Sequence, residues 1–302
     1  MLGKFFNFIE IKTKITSTFT FLLTLGFLLF LERKIQWGKT LLFFAGMLFF
    51  DLTTTAINNY IDSQDNGQVL AFSRKQSLLI IYLLFGISTS LGLYLAAITD
   101  LVLLLVGGIC FFCGVFYTFG PLPISRMPLG EMVSGFFYGI MIPFILMYIN
   151  SPAGTYIRYS LNWETISISV KLVPVLTLLL FSVIPFSVTA NIMLANNICD
   201  LEKDIEVRRH TLPYYIGQAS LPLFAGIYYL SYFSLILLVV LKILPPIALI
   251  ALLTIIPVQK NIRTFMKVQD KATTFNVSIK NFMIIMGADI FALFLAIIFS
   301  RS

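Results

Sequence analysis

Apolar runs of membrane length, broken by short polar interruptions, dominate this chain. About 20 consecutive apolar residues suffice to cross the hydrocarbon core of a bilayer as a helix. Such runs fall at about 14–31, 39–61, 76–98, 101–118, 128–150, 171–199, 219–241, 243–259 and 279–300, which predicts nine transmembrane helices. Between the seventh and eighth only Lys242 and the Pro245-Pro246 pair mark a turn. The longest polar connections are expected at about 151–170 and 260–278. No low-complexity stretch and no soluble insert interrupts the pattern, so residues 1–302 read as a single transmembrane domain.

The polar positions within this pattern are duplicated. Asn58-Asn59-Tyr60-Ile61-Asp62 ends the second run, and Asn196-Asn197-Ile198-Cys199-Asp200 ends the sixth. Further acids follow each block: Asp65 after the first, and Glu202, Asp204 and Glu206 after the second. Asp51, Thr55, Asn58 and Asp62 are spaced i, i+4, i+7, i+11, one helix face. Asn196, Asp200 and Asp204 repeat the device at i, i+4, i+8. Helix–helix hydrogen bonding accounts for Thr53, Thr54 and Asn59. It does not account for two matched blocks with acids, because a charge at the centre of a spanning helix costs roughly 2.5–3.5 kcal/mol. Asp62, Asp65, Asp200 and Asp204 in one pocket would repel unless cations sat among them. All-oxygen donor sets suit Mg²⁺, which usually arrives with substrate phosphates.

Composition narrows the class. The chain is 58% hydrophobic and 12% charged, whereas soluble domains carry about 25% charged residues. The net charge of +7 fits cytoplasmic loops, and no nucleic-acid partner is expected. With the N-terminus inside, fourteen Lys and Arg, among them Lys4, Lys12, Lys14, Arg74, Lys75 and Arg126, fall in inner loops and seven in outer ones. Both blocks then lie on the inner side, so the halves are parallel pseudo-repeats, unlike the inverted repeats of many transporters. Cys110-x-x-Cys113 lies inside a lipid-length run without a second pair, and His210 is the only histidine, which argues against redox, zinc and haem sites. The first apolar run lacks a small-residue cleavage site and reads as a span, not a cleaved signal.

Basic residues flank both blocks: Arg74 and Lys75 after the first, and Lys203, Arg208 and Arg209 after the second. They are candidates to hold an anionic substrate's oxygens. A third polar feature, Tyr117-Thr118-Phe119-Gly120-Pro121-Leu122-Pro123 with Arg126 and Pro128-Leu129-Gly130-Glu131, follows the fourth run. It is a Pro/Gly turn on the same side, expected to line the mouth of the site.

The two blocks resemble the aspartate-rich motifs of the UbiA family of intramembrane prenyltransferases. Asn58, Asp62 and Asp65 match the first motif; Asp200 and Asp204 match the second. Ala195 to Asp204, Arg209 to Leu212, Tyr117 to Pro121 and Pro128 to Glu131 are similar to the branch that prenylates 1,4-dihydroxy-2-naphthoate. The resemblance spans nearly the whole chain and implies an all-α bundle around a central cavity in a bacterial plasma membrane, with its active site toward the cytoplasm. It implies Mg²⁺ held by Asp62, Asp65, Asp200 and Asp204, and a polyprenyl diphosphate donor drawn from membrane lipid. Asn58, Asn196, Arg74 and Lys75 would bind around it, with Tyr117, Arg126, Lys203 and Arg209 near the reacting groups. Asp51 is the candidate to orient or deprotonate the acceptor hydroxyl, or else a helix–helix hydrogen-bonding group. The chain departs from the family in two places. Where many members carry an acid it has Asn66, with Asp65 one position earlier, so either could complete the first motif. Where relatives often have Arg-Lys-Thr, it has Arg209-His210-Thr211. Another aromatic acceptor, such as 4-hydroxybenzoate or haem, stays open, as does a cation-coupled carrier built on Asp51 and Asp289.

Overall fold

A computed structural model describes residues 2–65, 70–117 and 124–301. Its helices are α1 (Leu2–Phe8), α2 (Ile15–Phe30), α3 (Trp37–Asp65), α4 (Arg74–Ala97), α5 (Leu101–Phe116), α6 (Gly130–Ser134), α7 (Ile142–Ile149), α8 (Leu172–Cys199), α9 (Leu201–Glu206), α10 (Leu212–Ile216), α11 (Ser220–Val240), α12 (Ile255–Lys267) and α13 (Asn276–Arg301). Two strands, β1 (Ile157–Leu161) and β2 (Ile166–Val170), form the only sheet among the described residues.

Among the described residues eight helical segments are long and apolar enough to cross a membrane, one fewer than the nine expected. The shortfall is α5. Its 16 residues rise about 24 Å, short of the roughly 30 Å hydrocarbon core.

Three further segments differ from expectation. The fifth span is one apolar run, but Gly135–Met141 is wound as a π-helix between α6 and α7. Pro143 lacks the N–H that would bond the carbonyl one turn back. Gly139 also lies directly against α8: a Cβ there would sit 2.3 Å from the backbone N and Cα of Phe186. Gly139→Ala should therefore force two backbones apart and cost about 1–3 kcal/mol or more. A thermal-unfolding midpoint equal to that of the parent would refute that packing. At the other end, the expected loop from 260 is helical to Lys267, because Val258, Ile262 and Phe265 recur at i, i+4, i+7 and are buried. The expected 151–170 loop holds the hairpin. The turn at Lys242 stands, with a left-handed φ of 57°, and a 3₁₀ segment, Pro246–Thr254, then leads into α12.

The chain forms two compact units, each discontinuous in sequence. Unit 1 holds Met1–Phe19, Trp37–Gly130 and Asp200–Gly217, and unit 2 holds Thr20–Gln36, Glu131–Cys199 and Gln218–Ser302. In unit 1, α3 packs along α4. Phe8, Ile9, Leu52, Ala56, Ile81 and Leu84 make a buried cluster there, and α1 is fastened to it by Asn59 Nδ2 donating to the Phe8 carbonyl at 2.9 Å. In unit 2, α8 packs against α11, α13 and the π segment. Stacked Phe27 and Phe181 and tilted Phe224 and Phe265 fill its interior.

Candidate active site

Helix α3 runs unbroken for 29 residues and carries the whole first polar stripe. At its upper end Asp51 is buried in an ion pair. The Lys14 ammonium donates to Asp51 Oδ1 at 2.8 Å, to the Asp51 carbonyl at 3.0 Å and to Thr55 Oγ1 at 2.5 Å. Ser17 Oγ donates to the other carboxylate oxygen at 2.7 Å. An ammonium has three donors, and all three are taken. Lys14 is 4% exposed, so it is not the loop charge that orientation counting made it. It balances a buried acid 37 residues away, and nothing in local spacing announces the pair.

Further down the same face Asn58 and Asp62 are half-buried, and both make contacts of their own. The Asp65 side chain and Asn66 fall outside the described residues. Exposed Arg74 and Lys75 open α4, behind a Ser73–Gln76 capping box. Cations in a first turn oppose the helix dipole by about 0.3–1 kcal/mol each, a cost that an anion bound there would offset.

The second block straddles the end of α8. Asp200 lies between α8 and α9, and the Asp204 N–H donates to the Asp200 carbonyl at 2.8 Å. Asp204 is buried, while Glu202, Lys203 and Glu206 are exposed. Helix α9 ends in a tight reverse turn: the Arg208 N–H donates to the Ile205 carbonyl at 3.1 Å and the Arg209 N–H to the Asp204 carbonyl at 2.8 Å. Arg208 takes the left-handed φ of 57° that glycine usually supplies in such a turn. The turn swings Arg209 back so that its Nε lies 3.9 Å from Asp204 Oδ1 and donates to the Ser125 carbonyl at 2.9 Å. The His210 N–H donates to the Arg126 carbonyl at 3.2 Å, and the Ser125 N–H to the Tyr117 carbonyl at 2.9 Å. The ends of the Pro/Gly loop are thus tied to the second acid block, as its polar residues suggest. Thr118 to Pro123 lie outside the described residues.

Of the residues singled out from sequence, Asp51, Asn58, Asp62, Arg74, Lys75, Tyr117, Arg126, Asp200, Lys203, Asp204 and Arg209 all belong to unit 1. Asn196 belongs to unit 2, where Lys271 Nζ donates to its Oδ1. Lys271 also rests on the Phe275 ring, 4.7 Å from its centroid. Only its place in a basic loop hinted at this.

Unit 2 holds another pair that spacing did not reveal. Asn197 Nδ2 donates to Glu131 Oε1 at 2.8 Å, with Asn197 1% and Glu131 4% exposed. Glu131 Oε2 and Asn197 Oδ1 are both buried acceptors without a donor among the described residues. Glu131→Gln replaces one orphan acceptor, Oε2, by an N–H₂ group and gives the other, Asn197 Oδ1, a donor, so its unfolding midpoint should equal or exceed the parent's. Glu131→Ala should lose about 1–3 kcal/mol. A Gln variant as unstable as the Ala variant would refute this account.

The donor set offered by Asn58, Asp62 and Asp200 is all oxygen and half-buried, which fits Mg²⁺. Among the described residues no three His, Cys, Asp or Glu groups are close enough to cage an ion. Such a cage is not required, because Mg²⁺ keeps several waters and is usually held by one or two carboxylates plus phosphate oxygens. Cys110, Cys113 and Cys199 form no disulfide among the described residues.

A profile of the UbiA prenyltransferase family matches residues 19–283. The chain belongs to the UbiA prenyltransferase family. Among its relatives, a 1,4-dihydroxy-2-naphthoate octaprenyltransferase of Bacillus subtilis (strain 168) is 28% identical over 210 residues, which span 64% of this chain and 61% of that protein. Solved structures of the family share the fold over almost the whole chain. A UbiA homologue of Aeropyrum pernix K1 superposes with a TM-score of 0.64 at 15% identity, covering 96% of this chain and 98% of the other. A digeranylgeranylglyceryl phosphate synthase gives 0.65 at 18% identity, with 98% of each chain covered. An Archaeoglobus fulgidus homologue bound to GPP and Mg²⁺ gives 0.55 at 15% identity, covering 97% of this chain and 99% of the other.

Proposed function

We propose that this membrane protein transfers a polyprenyl group from polyprenyl diphosphate to 1,4-dihydroxy-2-naphthoate, with loss of the acceptor carboxylate. The observation that carries the reading is the duplicated Asn/Asp block, whose acids Asp62, Asp200 and Asp204 share a unit with Arg74, Lys75, Arg126 and Arg209. The named Bacillus relative supports the acceptor, and the Mg²⁺-bound homologue supports the metal.

In this reading Asp62, Asp200 and Asp204, with Asp65 or Asn66 and beside Asn58, would hold Mg²⁺, which would supply charge that makes diphosphate a better leaving group. Arg74, Lys75, Lys203 and Arg209 carry the remaining negative charge of the diphosphate. Those contacts strengthen as the allylic C–O bond breaks and its electron pair goes to the diphosphate, so they favour the transition state over the bound donor. Apolar walls keep water from the allylic cation. The ring carbon that bears the carboxylate forms the new C–C bond with the allylic carbon. The carboxylate then departs as carbon dioxide, and its C–C bonding pair returns to restore the aromatic ring. Asp51 and Lys14 set the polarity beside the acceptor, above the metal ligands on the α3 face. In this reading α5 still crosses, as a short span, so both blocks lie on the side that the Lys and Arg bias assigns to the cytoplasm.

Mass spectrometry of products from the purified protein, Mg²⁺, a mixed pool of polyprenyl diphosphates and a mixture of dihydroxynaphthoate and 4-hydroxybenzoate tests this. Prenylated, decarboxylated naphthol with matching pyrophosphate release is expected. Product on 4-hydroxybenzoate alone would move the acceptor, and no pyrophosphate release with any acceptor would overturn the reading. A carrier built on mid-span acids is less favoured, because Asp51 is already balanced by Lys14.

A further inference from the structure

The hairpin between the spans that end at Ile149 and begin at Leu172 is sharply two-faced. Its register pairs Ile157 with Val170, Tyr159 with Ile168 and Leu161 with Ile166 on one face. Arg158 faces Ser169 and Ser160 faces Ser167 on the other. Asn162 builds the turn, its Oδ1 accepting from the Glu164 and Thr165 N–H groups at 3.1 and 2.7 Å. Nothing among the described residues covers the apolar face: Leu161, Ile166 and Ile168 are 62%, 72% and 68% exposed, and Trp163 at the turn is fully exposed. An isolated two-stranded hairpin is marginal at best in water and needs something to pack against.

We infer that the apolar face of this hairpin lies on the lipid surface, with Trp163 seated at the headgroup level. Three observations name lipid as the occupant. The hairpin is tethered at the membrane, since Lys171 alone separates β2 from α8. Its apolar surface also runs on into that helix, where Leu172, Val173 and Leu176 are 69%, 75% and 60% exposed on a membrane-length span. At the base it is held low: the Lys171 N–H donates to the Tyr156 carbonyl at 2.9 Å, and buried Tyr156 packs edge-on against Phe144 of α7. Five residues of strand reach about 17 Å, more than the roughly 5–8 Å depth of one interfacial layer, so Trp163 sits where indole rings concentrate only with the hairpin lying along the surface. Lys171 adds positive charge at the base suited to lipid phosphates. The face is thus a monotopic anchor that fixes the depth of the α7–α8 connection.

Site-directed spin labelling of the full chain, one copy per nanodisc, tests this through the two-residue period. Cysteine is placed singly at Ile166, Ser167, Ile168 and Ser169, and the signal of the labelled parent is subtracted. Labels at 166 and 168 should collide preferentially with oxygen dissolved in lipid, and labels at 167 and 169 with an aqueous nickel chelate. Loss of the alternation, or chelate access at all four positions, would overturn the proposal. Protection of 166 and 168 from both reagents would also overturn it, in favour of a protein contact. A second measurement uses the two tryptophans of the chain. In the Trp37→Phe variant, emission from Trp163 should lie to the blue of free indole and be mostly lost with lipids brominated near the headgroup. Quenching by aqueous iodide but not by bromolipid would reject a seat in lipid.

Discussion

Asp200→Ala is expected to lose prenyl transfer by about 100-fold or more while the protein stays folded. Asp200 is half-buried at the junction of α8 and α9, and its carbonyl, not its side chain, receives the Asp204 N–H. Removing the carboxylate therefore spares the local backbone and takes one oxygen from the proposed metal set. It also relieves like-charge repulsion, so stability need not fall. Asp62→Ala should behave alike. Asp204→Ala should lose activity too, but it also strips the buried partner of Arg209, so some loss of stability is expected there. Activity over a Mg²⁺ series, with the unfolding midpoint of each variant, checks the set. Full activity of Asp200→Ala at ordinary Mg²⁺ would remove this block from the site.

Lys14→Met is expected to be the most destabilising of the single changes considered. It leaves Asp51 and Thr55 without their common donor inside a buried network, and breaking such a pair on one side costs about 3–5 kcal/mol. The double change Lys14→Met with Asp51→Leu removes both charges and should recover most of that loss. Denaturant unfolding of the three variants in mixed micelles gives the comparison. A Lys14→Met protein as stable as the parent would show that the pair is not formed. Asp51→Asn, which keeps Lys14, tests Asp51 in turnover. If it keeps its rate at saturating acceptor, Asp51 is structural; if turnover falls while donor affinity holds, Asp51 acts on the acceptor.

The α3 stripe was legible because helices repeat every 3.6 residues and polar groups are rare in a lipid-soluble run. Asp51, Thr55, Asn58 and Asp62 announce one face without knowledge of any neighbour. The distant partners of the polar groups were not legible. Lys14 meets Asp51 across 37 residues, Glu131 meets Asn197 across 66, and Lys271 meets Asn196 across 75. Such pairs are set by packing, which a one-dimensional pattern does not carry. The ninth span failed on length: Leu101–Phe116 is apolar throughout but stops short. The π segment was hidden for a different reason, since Gly135 and Gly139 reveal a close approach only when Phe186 is known to face them. The hairpin was within reach. Strict alternation from Ile157 to Leu161 and from Ile166 to Val170 is a strand signal, masked by reading the stretch only as polar linker.

The order in which the chain is made bears on the two-unit layout. Unit 1 takes its first two segments from residues up to Gly130 and its last from Asp200–Gly217. At about 5–20 residues per second, the ribosome needs roughly 4–14 s to make the intervening stretch. During that interval the helix bearing Asn58 and Asp62 waits in the membrane without Asp200, Asp204 or Arg209. A nascent chain halted before Asn196 holds one acid block alone. In the proposed reaction the set of oxygens that would hold the metal is incomplete until then, so the donor would be ionised only once both blocks are in place.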